Sequence, residues 1–192
     1  MIGLFLAGVW GYLLGAVPTG VIVARALRGT DVREQGSGHT GGLNVTRATG
    51  LGGGVITGVV DILLGVGAVA GAGLLADSAW AATIAGAMAI VGHNWSVFIR
   101  FGGGIGLSTL AGSLLALAPL PALEALVGLI LFWLFLVLLL HLHRARSTVV
   151  AMALVGPLLW AMGMEPRMVL LGALGGVIVI VKTLPDWHRK YD

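Results

Sequence analysis

Seven apolar runs, at about 3–27, 51–76, 79–99, 107–118, 122–141, 148–163 and 168–184, take up most of this 192-residue chain. A run of about 20 apolar residues is long enough to cross the hydrocarbon core of a bilayer as a helix, and a spanning segment must satisfy its own backbone, which a helix does. Only 10% of the residues are charged and 58% are hydrophobic, whereas soluble domains carry about a quarter charged residues. The chain therefore lacks the polar surface to face water. The expected fold is an all-α integral membrane protein, a single polytopic domain over 1–192 with seven transmembrane helices and glycine-rich cytoplasmic loops. The fourth run is short and starts inside a glycine-rich stretch, so a broken or re-entrant element is expected there. Glycines four apart, such as Gly11 and Gly15 or Gly172 and Gly176, let helix backbones approach closely in lipid. The first run has no cationic lead and no cleavage pattern after it, and is expected to be retained.

The scarce charges orient this bundle. With seven spans, Arg25, Arg28, Arg33, Arg47, Arg100, Arg144, Arg146, Lys182, Arg189 and Lys190 fall on one side and Arg167 alone on the other. The positive-inside rule makes the first side cytoplasmic, with the N-terminus outside and the C-terminus inside. These basic residues flank apolar runs and form no basic stripe with interleaved aromatics, which speaks against nucleic acid. The absence of cysteine excludes disulfides, a thiolate nucleophile and thiolate-bound metals. His141 and His143 are two apart and no His-x-x-x-His pair or carboxylate cluster exists, so no metal is expected.

Two polar segments interrupt the apolar background, both on the cytoplasmic side. In 31–47, Gly36, Gly38 and Gly41 free the backbone to turn N–H groups toward an anion. Ser37 and Asn44 can add hydrogen bonds, and Arg47 offers a permanent charge suited to bidentate phosphate contact. The same glycines spell G-x-G-x-x-G, but no strand precedes them, so this is no dinucleotide fingerprint. A plain inter-helix loop stays open as the alternative. In 92–109, Gly102, Gly103, Gly104 and Gly106 lead into a helix start at Ser108 and Thr109, a backbone nest at a positive helix end; a tight re-entrant turn is the alternative. Asp61 lies about ten residues into an apolar span, where an acid is costly, and a structural pair with Arg47 or Arg25 is expected.

Gly11-Tyr12-Leu13-Leu14-Gly15-Ala16-Val17-Pro18-Thr19-Gly20, the segment from Asp31 to Gly38, and Asn44-Val45-Thr46-Arg47 together resemble the bacterial acyl-phosphate:glycerol-3-phosphate acyltransferase family (PlsY). Asp61 to Gly65, Gly92-His93 with Val97-Phe98, the stretch from Phe101 to Thr109, and Arg144 with Ser147 continue the resemblance in order. It implies a seven-helix inner-membrane enzyme that transfers an acyl chain from acyl phosphate to the 1-hydroxyl of glycerol 3-phosphate. The product would be lysophosphatidic acid for phospholipid biosynthesis, made without cofactor or metal. It further implies catalytic roles for Ser37, Arg47 and His93, and substrate or phosphate binding by Gly36, Gly38, Gly41, Asn44, Arg100, the 102–106 glycines, Ser108 and Thr109. Asp61, Arg144 and Ser147 would orient the site.

The chain departs from the family at several positions. Leu64, Gly102 and Ile105 stand where the family has lysines, and His39 and Leu43 replace its Asn and Thr. Its C-terminal motif with His, Asn and Glu is not recognisable in 181–192. Arg100, Lys182, Arg189 and Lys190 are the candidate replacement cations, Arg100 foremost. A catalytically impaired relative that binds a phosphorylated lipid or a partner protein is the alternative, and a small transporter built on Asp61 is a third.

Overall fold

The computed structural model describes residues 1–189; Lys190, Tyr191 and Asp192 lie outside the described residues. All regular structure among them is helical, with one isolated bridge between Ser96 and Gly102. The helices are α1 (Ile2–Gly15), α2 (Thr19–Arg28), α3 (Gly42–Thr49), α4 (Leu51–Ala72), α5 (Ala81–Asn94), α6 (Leu107–Leu117), α7 (Pro119–Leu134), α8 (Arg144–Ala153), α9 (Val155–Ala161) and α10 (Pro166–Thr183). Among the described residues four stretches, Ile2–Arg28, Leu51–Ala72, Pro119–Leu139 and Pro166–Asp186, are long and apolar enough to cross a membrane.

Each apolar run of the sequence is helical, but two are divided by proline. Pro18, which has no N–H and a fixed φ, separates α1 from α2 within the first run. Pro157 withdraws the hydrogen bond that the Ala153 carbonyl would receive, and the chain breaks at Leu154 between α8 and α9. The fourth run forms α6, 11 residues long, which spans only about 16 Å and begins directly from the glycine-rich loop, as its short length implied.

Large apolar side chains face outward: Leu120 is 73% and Trp160 74% exposed, while Asp61, Asn94, Thr57 and Ser147 are buried. In water such a surface would aggregate; in lipid it is the solvated face, and the bundle is held by close packing of small residues instead. Gly11 and Gly15 of α1 lie on the Ala85 and Ala89 backbone of α5, with no room for a Cβ. Gly112 of α6 lies on Ile62 of α4 in the same way, and Gly176 of α10 on Met152 of α8. These glycines serve packing within the chain. The largest apolar cluster, including Ile90, Leu110, Leu114, Leu159 and Leu171, joins α5, α6, α9 and α10.

The polar connections gather at one end. Arg33 donates to the Ile99 carbonyl, Lys182 to the Asn94 carbonyl, and Arg146 lies over the Trp187 ring. At the other end Arg167 pairs with Glu165 and reaches the Ala79 carbonyl.

Candidate active site

The connection between α2 and α3 is built around two side chains. Asp31 accepts from the Arg33 backbone at 3.0 Å and pairs with the guanidinium of Arg33 at 2.6 Å and of Arg25 at 3.0 Å. The Arg33 hydrogen bond above all holds the Asp31 carboxyl well below the usual carboxylate range. Arg25 is thus committed to Asp31 and does not serve Asp61. Further along, the buried Asn44 side chain turns back from α3. Its amide nitrogen lies 2.9–3.0 Å from the carbonyls of Val32, Gln35 and His39, and its oxygen accepts the Ser37 N–H at 3.2 Å. Gly36, at φ +51°, passes so close to that oxygen that a Cβ would collide with it. Expected as a substrate ligand, Asn44 instead spends its hydrogen-bonding groups on the loop that presents Ser37.

The second segment is fastened to the first and to the end of α1. Gly103 accepts from the Thr40 N–H at 3.3 Å, and Ser96 donates to the Ala16 carbonyl at 2.5 Å. Gly102 and Gly104 donate their N–H groups to Ile99 and His93 carbonyls, so those two amides are not open to an anion. The expected nest is reduced to the amides of Gly103, Ile105 and Gly106, which have no backbone acceptor among the described residues, and to the first turn of α6. Gly103 and Gly104 are glycine for room: a Cβ would strike the His93 and Asn94 carbonyls or the His93 ring.

Two cavities at this end of the bundle share part of their lining. The larger, about 590 Å³, has a polar mouth with Ser37, Gly41, Asn44, Arg47, Asp61, His93, Gly106, Ser108 and Arg144, and a deep wall of apolar side chains including Leu114, Leu129, Trp133 and Val155. The smaller, about 550 Å³, is bordered by Gly38, Gly102, Gly103, Trp95, Lys182 and Arg189. Ser37, His39 and Asp186 line both. Lys182 is held at the second cavity by the Asn94 carbonyl at 2.6 Å and by the Trp95 face, 5.2 Å from the ring centre. Arg189 pairs with Asp186 at 3.2 Å and donates to the Ser37 carbonyl.

The structure therefore brings together most of the residues singled out from sequence. Asp61 and His93 face each other, with Nδ1 3.8 Å from an Asp61 oxygen that has no hydrogen-bond partner. Ser147 and Thr109 are buried and border neither cavity; their hydroxyl oxygens have no hydrogen-bond partner. Arg100 is exposed, in a left-handed turn at φ 58°, and borders neither cavity. Its adjacency to position 102 along the chain does not carry its side chain to either one. Among the described residues no group of three or more His, Asp or Glu could hold a metal ion.

Sequence reasoning missed His39 and Asp186, whose Nε2 and Oδ2 are 2.5 Å apart. They are separated by 147 positions, and no local spacing connects them.

Comparison with known proteins gives a consistent picture. The family model described as glycerol-3-phosphate acyltransferase matches residues 5–190. A glycerol-3-phosphate acyltransferase of Rubrobacter xylanophilus is 40% identical over 171 residues, covering 88% of this chain and 82% of its own length. One from Rippkaea orientalis is 37% identical over 183 residues, covering 90% and 82%. Among solved structures, the glycerol 3-phosphate form of PlsY, an integral membrane glycerol 3-phosphate acyltransferase, superposes with a TM-score of 0.81 at 28% identity, over 97% of this chain and 90% of that one. Its lysophosphatidic acid form superposes at 0.78 and 26% identity, with the same coverage.

Proposed function

The chain belongs to the glycerol-3-phosphate acyltransferase family, and from that premise we infer that it acylates the 1-hydroxyl of glycerol 3-phosphate, giving lysophosphatidic acid, with an acyl phosphate as donor. The observation that carries the reading is the pair of neighbouring cavities, one walled by apolar side chains and one bordered by Lys182 and Arg189, with Ser37 lining both. The apolar wall suits an acyl chain. The cations suit a phosphate, and the shared lining is where an acyl carbon and an attacking hydroxyl would meet.

An acyl phosphate is already activated, so the protein's task is placement and charge stabilisation. Arg47 and the open amides at the start of α6 would hold the donor phosphate at the mouth of the larger cavity. Lys182 and Arg189 would hold the acceptor phosphate in the smaller one. Ser37, fixed through its backbone by Asn44 and Arg189, would place its hydroxyl between them. Asp61 and Arg144 border the same mouth and would orient these groups. Lys182 and Arg189 also answer the vacated lysine positions, which weakens the case for a non-catalytic relative. The ten basic residues gathered on one side of the seven-span reading support a site on the cytoplasmic face of the cell membrane, with the N-terminus outside and one polytopic domain throughout.

The test is purified protein supplied with glycerol 3-phosphate and either palmitoyl phosphate or palmitoyl-coenzyme A, scored for lysophosphatidic acid. Product with the acyl phosphate alone is expected. Product with the thioester alone would overturn the donor assignment, and no product with either would overturn the reaction.

A further inference from the structure

The turn between α5 and the glycine loop, residues 97–101, borders neither cavity, yet it is held as firmly as the segments that do. Ser96 anchors it: the hydroxyl donates to the Ala16 carbonyl and accepts the Phe98 N–H at 3.3 Å, and the carbonyl accepts the Ile99 and Phe101 N–H groups at 3.2 and 2.8 Å. Arg33 donates to the Ile99 carbonyl, and the Ile99 side chain packs on the cluster of Val21, Ala24, Val32 and Val45. This scaffold leaves Phe98 58% and Phe101 61% exposed, with the exposed Arg100 between them in the chain. Arg100 and Phe101 both take left-handed backbone, at φ 58° and 59°, a region unfavourable for any residue with a Cβ. Side chains kept where glycine would fit more easily point to a use for those side chains. No carboxylate among the described residues pairs with Arg100.

We propose that this turn binds an anionic phospholipid of the surrounding leaflet, with Arg100 on the lipid phosphate and Phe98 and Phe101 at the boundary between headgroups and acyl chains. A membrane-spanning bundle meets that boundary where its helices end, as α5 does here, and aromatic side chains are favoured at that level. A guanidinium offers a phosphate two parallel hydrogen bonds. The adjoining α2 and the turn after it add Arg25, Arg28 and Arg33 against Asp31 and Glu34, and Asp31 is already taken by Arg25 and Arg33. This side of the bundle therefore carries net positive charge and favours a lipid whose phosphate is not neutralised within its own headgroup. A zwitterionic headgroup brings its own cation and gains less. A soluble phosphate would leave both rings in water, and the cavities that suit one lie elsewhere. The proposal is independent of the acyl-transfer reading, because no cavity residue takes part in it.

The chain has no cysteine, so Val97→Cys, at an exposed position of the turn, admits a single fluorophore beside Arg100. The labelled full-length protein is placed in phosphatidylcholine vesicles that contain a small, equal fraction of phosphatidylglycerol or phosphatidylcholine bearing a nitroxide high on the acyl chain. One cation beside an anionic surface favours an anionic lipid about fivefold, and quenching by the phosphatidylglycerol probe should exceed quenching by the other by about that factor. The difference should fade at about 1 M salt, where charges are screened within about 3 Å. Arg100→Gln should bring the two probes to within about twofold of each other, while Arg167→Gln, at the opposite end of the bundle, should leave the preference unchanged. Arg100→Gly controls for folding: glycine takes this backbone freely, so the variant should melt no lower than wild type and still lose the preference. Phe98→Ala with Phe101→Ala should weaken quenching by both probes. Equal quenching by the two probes in the wild type overturns the proposal, as does a preference that survives Arg100→Gln. Absence of quenching by either probe places the turn in water and overturns it as well. Displacement of the phosphatidylglycerol probe by excess inorganic phosphate would assign Arg100 to a soluble anion instead. Each of these results is read at the turn and not from turnover, so it leaves the acyl-transfer reading standing, and a wild type that makes no lysophosphatidic acid leaves this proposal standing in turn.

Discussion

The glycine loop at 102–106 and the C-terminal stretch at 182–189 border the same small cavity by opposite means. The loop contributes backbone and almost no side chain, and two of its amides are already bonded to Ile99 and His93. The C-terminal stretch contributes Lys182, Asp186 and Arg189, each held by a named contact. By the family resemblance the loop should carry two lysines, yet here the positive charge comes from the other element. A phosphate responds to where charge lies in space and not to which segment bears it. Charge can therefore leave a loop while the pocket keeps it, provided that another element ends beside it.

The strongest test of this division removes both tail cations. Lys182→Ala with Arg189→Ala should weaken glycerol 3-phosphate binding by 100-fold or more, since each charge-assisted contact is worth about 1.5–3 kcal/mol. Binding unchanged by the double substitution would return the anion to the loop backbone. Next in size, Arg47→Ala should cost about tenfold or more in binding of a phosphorylated substrate, whereas Arg167→Ala, at the opposite end of the bundle, should cost nothing measurable. Equal effects would mean that Arg47 has no special place.

Returning charge to the loop sharpens the contrast further. Ile105 borders the larger cavity, and Ile105→Lys should raise affinity for the phosphorylated donor several-fold. Arg100→Ala should change KM less than about twofold, because its side chain borders neither cavity; exposed charges contribute little. A large loss in titrations of that variant would restore Arg100 as the replacement cation.

The smallest expected effect concerns pH. The Asp31 carboxyl is depressed by Arg33, so its stabilisation is complete above the unfolded value of about 3.9 and is lost only as pH falls through the lower folded value. The difference in thermal stability between wild type and Asp31→Asn should therefore be the same at pH 7 and pH 5. A difference that also stays constant as pH falls from about 4 to 2 would show that Asp31 is not held low.

The amino-acid sequence by itself determined the solvent, the helical class and the polar segments that converge. Hydropathy is summed residue by residue, and a bilayer allows an apolar chain few folds, so the runs became helices and Asp61, His93, Ser37 and Arg47 came to one cavity. Local chemistry also placed the short fourth helix. What the sequence left open was the partner of each polar group. It offered Arg25 to Asp61, Asn44 to the substrate and Arg100 to the phosphate, and the structure gives Asp31 to Arg25, the loop backbone to Asn44, and solvent to Arg100. Lys182, Asp186 and His39 acquire their meaning only because α10 returns the end of the chain to the loop near its start. That return is fixed by close packing of glycines among α5, α8 and α10, in which Gly176 lies on the Met152 backbone and Gly86 against the Leu171 side chain. Such packing depends on which helix faces meet, a property of the folded bundle that no local spacing records.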